Sequence, residues 1–194
     1  MPEPEDRPTH LLDARSLRGL AHPLRMRLLT ALRRGGPATA SQLAEKLGES
    51  SGATSYHLRQ LAEHGFVEDA HEHGKGRERW WRAIHGGVQF DESLLRHADP
   101  TVRGAASAFL HEVATTHAQE LSAFLGTTHE WSEEWYRASD ASDFTLRLPP
   151  ALALELVQKM HDLVEHYRTQ VSAEAAPDAE QVRVHTHVFP VRTN

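Results

Sequence analysis

Ser51, Ser55, Tyr56, Arg59 and Gln60 fall on one side of a single helical repeat, with Gly52 beside them. The set combines short hydroxyls, an aromatic ring, a guanidinium and a carboxamide. Such groups read nucleic acid: a guanidinium pairs with guanine, a carboxamide with adenine, and hydroxyls bond bases or phosphates. His57, next to Tyr56, is either a further contact of this kind or a packing residue. A second cationic set, Lys75, Arg77 and Arg79, follows in a glycine-punctuated stretch. Side chains of that kind suit phosphate contact or a narrow minor groove.

The elements that must hold these groups are legible. Residues 41–65 read SQLAEKLGESSGATSYHLRQLAEHG. Leu43, Ala44 and Leu47 share one face of a first helix, and Thr54, Leu58 and Leu61 share one face of a second. The three-to-four spacing is that of helices packed on a common core. Gly48 closes the first helix, and Ser50 or Ser51 caps the second. Two helices joined by a tight turn hold the second one out for a DNA major groove. From Phe66 the period changes. Val67 to His71 and Arg79 to Ile84 read as strands flanking the polar turn HEHGKGRE. A hairpin directly after a recognition helix is a wing, and its tip carries Lys75 and Arg77.

Residues 15–85 thereby resemble the winged-helix domain of ArsR-type bacterial transcriptional regulators. The motifs are LAHPLRMRLLTAL at 20–32, SQLAEKLG at 41–48, SSGATSYHLRQLAEHGFVE at 50–68 and GRERWWRA at 76–83, a little over a third of the chain. The resemblance implies a homodimer that binds double-stranded DNA at a pseudo-palindromic operator and often represses. It also implies that the long helix after the wing, here residues 101–125, makes the dimer. Metal sensing is a poor match. The family's sensors carry cysteines on the helix that here reads SQLAEKLG, and this chain has no cysteine. A later family site pairs Asp-x-His with His-x-x-Glu. His117 and Glu120 match its second half, but Gly104 and Ala106 stand where the first half belongs.

The charge of the chain separates along its length. The whole of its 194 residues carries −6, yet residues 15–85 hold 12 Lys or Arg against 7 Asp or Glu, which is +5. Residues 1–14 carry −3 and residues 86–194 carry −8. The positive part lies where DNA contact is expected, and the acidic part would repel DNA. The start, MPEPEDRPTH, is acidic and proline-rich, unlike a signal peptide, and residues 1–14 read as a disordered arm. No apolar run approaches a membrane span. The absence of cysteine removes disulfides and thiol chemistry and fits a reducing, cytoplasmic and nucleoid-associated setting.

The fold class expected is mainly α with small β elements: the winged helix–turn–helix, then a C-terminal α+β module for dimerisation or ligand binding in residues 86–194. Residues 92–98 read as a short helix. Val102, Ala106, Phe109, Leu110, Val113, His117, Leu121 and Phe124 form a stripe along 101–125. Trp131 and Trp135 share a helical face, either as core or as the wall of a pocket for a small organic effector. Phe144–Leu148 alternates like a strand, Pro149-Pro150 opens a helix through Leu152, Leu156, Met160, Leu163 and Tyr167, and Val182, Val184, Thr186 and Val188 mark a last strand. The 15 histidines include His185 and His187 on one strand face, but no third ligand has metal-site spacing, so no metal or other cofactor is expected. No nucleotide loop, H-E-x-x-H or G-x-S-x-G occurs, so no catalytic residue is assigned. The competing readings are a winged helix that binds protein rather than DNA, and a MarR- or PadR-type regulator, whose wings are also followed by dimer helices.

Overall fold

The computed structural model describes residues 9–73, 78–84, 87–170 and 179–192. It divides into two compact units, residues 1–122 and 123–194.

The first unit contains the winged domain. A short strand, β1 (Thr9–Leu11), leads into α1 (Ala14–Leu20) and α2 (Pro23–Gly35). Asp13 caps α1 through Arg15 and Ser16 N–H groups, and the Ser16 hydroxyl completes the box. His22 caps α2 ahead of Pro23, whose fixed φ suits a first helical turn. Then come β2 (Ala38–Thr39), α3 (Ala40–Leu47) and α4 (Ser51–Glu63). Thr39 and Gln42 form a capping box on α3, and Ser50 caps α4 through the Ala53 N–H at 3.2 Å. Gly48 ends α3 in the left-handed conformation that only a residue without Cβ adopts at low cost. β3 (Val67–Asp69) and β4 (Trp80–Ala83) make the antiparallel wing, and β2 pairs the other edge of β4, giving the order β2–β4–β3.

Three features differ from the sequence reading. β1 pairs in parallel with β5 (Gly87–Gln89), and Leu12 is 1 % exposed, so residues 9–14 belong to the fold rather than to a disordered arm. Residues 1–8 lie outside the described residues. Leu12 carries this change, because a single leucine docked in the core outweighs the acidic character of its neighbours. The core also runs past residue 85. Leu94, from a 3-10 turn over Glu92–Arg96, joins it, as do Val102, Ala106 and Phe109 of α5 (Pro100–Gly126). The first half of the long apolar stripe therefore stabilises the winged domain itself. Leu121 and Leu125, farther along, are exposed.

The third difference lies in the second unit. A 3-10 turn over Thr128–Glu130 precedes α6 (Glu133–Arg137), so Trp131 lies between the two rather than within one helix. The rings of Trp131 and Trp135 meet edge to face at 6.5 Å, and Trp131 is exposed. α7 (Pro150–Gln170) forms where Pro149-Pro150 predicts it. The strands expected at 144–148 and 182–188 do not form among the described residues, so the C-terminal part is helix and extended chain rather than an α+β module. Alternation marks a chain with two unlike faces, but it does not by itself supply the paired ladder that a strand needs. No helix among the described residues is long and apolar enough to cross a membrane.

Candidate nucleic-acid interface

α4 is anchored by Thr54, Leu58 and Leu61, each 0 % exposed. The two leucines alone contribute about 1.5–3 kcal/mol apiece by leaving water. The opposite face is open. Ser51, Tyr56 and Arg59 are exposed, and Ser55 and Gln60 are half-exposed. Arg59 Nε donates to the Ser55 carbonyl at 3.1 Å, which lays the guanidinium along the helix. Gln60 Nε2 donates to Glu63 Oε2 at 2.9 Å. Both are solvent-exposed bonds that a nucleic-acid group could replace at small cost.

His57 is set apart from these. It is half-buried, its ring lies 4.3 Å from that of His22, and Tyr56 meets it edge to face at 5.1 Å. His57 Nδ1 is buried with no hydrogen-bond partner among the described residues. His64, at the end of α4, presses its ring on Gly19, where a Cβ would stand 2.1 Å from His64 Cγ. Burial pushes all three histidines, His22, His57 and His64, below the usual imidazole range, and the Arg25 guanidinium adds to this in each case. This histidine layer under the recognition helix was not visible in the sequence, because His22, His57 and His64 come from three elements. The His22-Pro23 helix start was its one local sign.

The wing is held by a charged clasp. Arg79 Nε lies 2.6 Å from Asp69 Oδ2, and its guanidinium sits 4.0 Å over the ring of Trp81, which is buried. His71 Nδ1 approaches the other Asp69 oxygen at 3.2 Å. Arg82 pairs with Glu68 across the strands at 2.7 Å. Lys75 and Arg77, the expected wing-tip contacts, lie outside the described residues. Elsewhere in the domain several arginines serve the fold. Arg25 reaches the Arg18 carbonyl, Arg27 bridges Glu49 and the Leu47 carbonyl, and Arg34 pairs with Glu120. Arg33 is buried enough for its pKa to fall to about 10. The positive charge of residues 15–85 is thus partly internal, and Arg59 and Arg79 stand out on the exposed faces of α4 and the wing. Among the described residues no group of three or more His, Asp or Glu side chains is placed to hold a metal ion.

Two paired helices, a projecting second helix and a three-stranded wing define a winged helix–turn–helix, a fold through which transcriptional regulators bind DNA. Residues 20–70 match the family model described as a helix-turn-helix domain. No curated protein matches the chain. Solved structures similar to it include a possible transcriptional regulator for arsenical resistance, at 28 % identity, covering 56 % of this chain and 94 % of that one, TM-score 0.32. The transcriptional repressor BigR from Xylella fastidiosa is 20 % identical over 53 % of this chain and 84 % of its own, TM-score 0.32. The antimony-specific transcriptional repressor AntR is 24 % identical over 53 % of this chain and 78 % of its own, TM-score 0.33.

Proposed function

We propose that this chain is a sequence-specific DNA-binding transcriptional regulator, a homodimeric repressor acting on a pseudo-palindromic operator. The observation that carries the reading is α4. Its inner face is wholly buried, its outer face offers Ser51, Ser55, Tyr56, Arg59 and Gln60, and it lies inside the segment that matches the helix-turn-helix model. α4 enters the major groove, and the wing, with Arg79, Lys75 and Arg77, lies along the flanking backbone or minor groove. His57 holds α4 from beneath.

One winged helix reads only a few base pairs, so specificity requires two copies related by a two-fold axis. The exposed distal part of the long helix, with Leu121 and Leu125, supports an interface through residues 101–125. Residues 86–194 are acidic and take no part in DNA contact. They bind a small organic effector that shifts DNA affinity by binding the free and DNA-bound shapes unequally. The setting is the cytoplasm, on the nucleoid. Selection of bound fragments from a genomic DNA library tests the reading. A recurrent two-fold motif is expected, with half-sites about one helical turn apart. Recovery of fragments with no common sequence would overturn it.

A further inference from the structure

Two imidazole rings from different elements meet beneath α4. His22, the N-cap of α2, accepts the Leu24 N–H through Nδ1 at 3.2 Å. Such a cap needs a lone pair on Nδ1, so the ring is neutral with its proton on Nε2. The His57 ring of α4 lies 4.3 Å from it, and Tyr56, on the outer face of α4, meets His57 edge to face at 5.1 Å. The charged and titratable groups around the pair are Arg25 on α2, Glu49 in the turn before α4, Glu112 on α5 and the Tyr56 phenol on α4. Arg25 is fixed by the Arg18 carbonyl at 3.1 Å, and Glu49 is tied to Arg27 at 3.1 Å. We propose that His22 and His57 form a proton-operated latch on the recognition helix: neutral, they hold α4 where it reads DNA, and a proton on either ring shifts α4 and weakens operator binding.

The geometry gives the proton three effects. At His22 it turns the Nδ1 acceptor into a donor that opposes the Leu24 N–H, so the α2 cap is lost. At either ring it sets a new cation against the Arg25 guanidinium and against the other imidazole. At His57 it charges a ring whose Nδ1 is buried with no hydrogen-bond partner among the described residues. Thr54 Oγ1 and Arg25 Nε are buried in the same state, so the seat of α4 is thin in hydrogen bonds and depends on Leu58 and Leu61. Burial, foremost, and then Arg25 hold His22 below the usual imidazole range, while burial, then His22 and Arg25, do so for His57. Glu49 faces both rings and Glu112 faces His22; these carboxylates are the partners that a displaced imidazolium would take. Binding that requires the neutral pair leaves the free protein with more protons than the bound one, so operator affinity falls as pH falls. One proton on a released ring of ordinary pKa, about 6.5, weakens binding by up to about tenfold between about pH 7.5 and 5.5. The inference adds regulation to the proposed function and rests on that reading.

Fluorescence anisotropy of the full chain on a selected operator and on scrambled DNA, at fixed ionic strength between about pH 7.5 and 5.5, tests the latch. Scrambled DNA is the reference because a proton on His71 of the wing, exposed beside Asp69, strengthens contact with any DNA. In the wild type the ratio of operator to scrambled affinity should fall about three- to tenfold on acidification, with helical circular dichroism unchanged. His22→Asn combined with His57→Gln removes both titrations, and Asn keeps the cap acceptor. Measured against its own value at the upper pH, this variant's ratio should fall by less than about 1.5-fold, and that of His22→Asn alone should fall by an intermediate amount. A wild-type ratio that stays flat or rises overturns the inference. So does helix loss in step with affinity, since acid then unfolds the domain rather than moving α4. A double variant as steep as wild type overturns it too, or His22→Asn alone if the double variant does not fold. NMR of the free protein reads the latch without DNA. The amides of Ser51 and Glu63, at the two ends of α4, should shift with the titration of the His22 and His57 rings, and stationary amides overturn the inference. Failure to select any operator, with those amides moving as the rings titrate, strikes the proposed function instead and leaves the coupling of the proton to α4 standing.

Discussion

The clasp on the wing allows the proposed DNA contact to be separated from a purely structural role. Arg79 is half-exposed, pairs with Asp69 at 2.6 Å and stacks on Trp81 at 4.0 Å. An exposed ion pair contributes about 0.5–1 kcal/mol and an exposed cation–π contact a similar amount. Arg79→Ala should therefore cost the winged domain about 1–2 kcal/mol, a melting shift on the order of 5 °C. If the guanidinium also meets a phosphate, the slope of log affinity against log salt should fall by about 0.9, so that raising salt from about 50 to 200 mM weakens the variant about 3.5-fold less than wild type. Asp69→Asn sharpens the test. It removes the partner that competes with DNA for Arg79 and a negative charge that repels phosphate. DNA affinity should rise about two- to fivefold while stability falls by no more than about 1 kcal/mol. Fluorescence anisotropy on a selected operator at four salt concentrations, alongside thermal melts, measures both. Stability and affinity moving in opposite directions in Asp69→Asn is the signature. An unchanged slope in Arg79→Ala, with Asp69→Asn binding no better than wild type, would refute the contact and leave Arg79 as a pin of the wing on Trp81.

Arg59→Ala should weaken binding to the selected operator by about 1–3 kcal/mol more than binding to scrambled DNA if Arg59 pairs with a guanine; equal losses on both would make it a phosphate contact, and no loss would remove it from the interface. Gly19→Ala should destabilise the winged domain by about 1–3 kcal/mol, because the new Cβ would overlap the His64 ring; Gly19→Ala combined with His64→Ala should be the more stable of the two, and the reverse order in thermal melts would show that the overlap is relieved elsewhere. His22, His57 and His64 have pKa values below the unfolded value of about 6.5, so the unfolded chain takes up protons first as pH falls. The stability these neutral rings contribute is complete above about pH 6.5 and is lost as pH drops through their lower folded values. Thermal melts between about pH 7.5 and 5 should show this loss, and it should shrink in His57→Gln; a melting temperature that rises on acidification would contradict the assignment.

The helix–turn–helix was legible because its signals are local. Gly48, Ser50 and the Thr54–Leu58–Leu61 face each settle a boundary or a buried side within a few residues. The wing was legible for the same reason, as the aromatic run Trp80-Trp81 follows a polar turn. β1 and β5 were not, since three-residue strands show no period and their parallel pairing joins Thr9 to Gly87 across the whole domain. The division of labour along α5 was also hidden. Val102, Ala106 and Phe109 look like Leu121 in the sequence, and only the fold shows that the first three are spent on the domain's own core.

The C-terminal segments expose the limit of pattern reading. Alternation at Phe144-Thr-Leu-Arg-Leu148 and Val182 to Val188 reports that a segment has an apolar and a polar face. It does not report whether the segment joins a hydrogen-bonded ladder. Within one copy the apolar side chains Phe144, Leu146, Val182 and Val184 stay in water, which costs about 25 cal/mol for each Å² of apolar surface that could be covered. The same residues lie in the acidic part of the chain, where residues 123–194 carry 6 Lys or Arg against 11 Asp or Glu. Under the proposed homodimer, a winged domain gains from apolar surface that two copies can close together. Every increment of apolar area closed between copies raises the population of the two-fold species, and with it the effective concentration of the second α4 at its half-site. Under the proposed function, dimer strength and operator occupancy should accordingly change together when the second unit is altered.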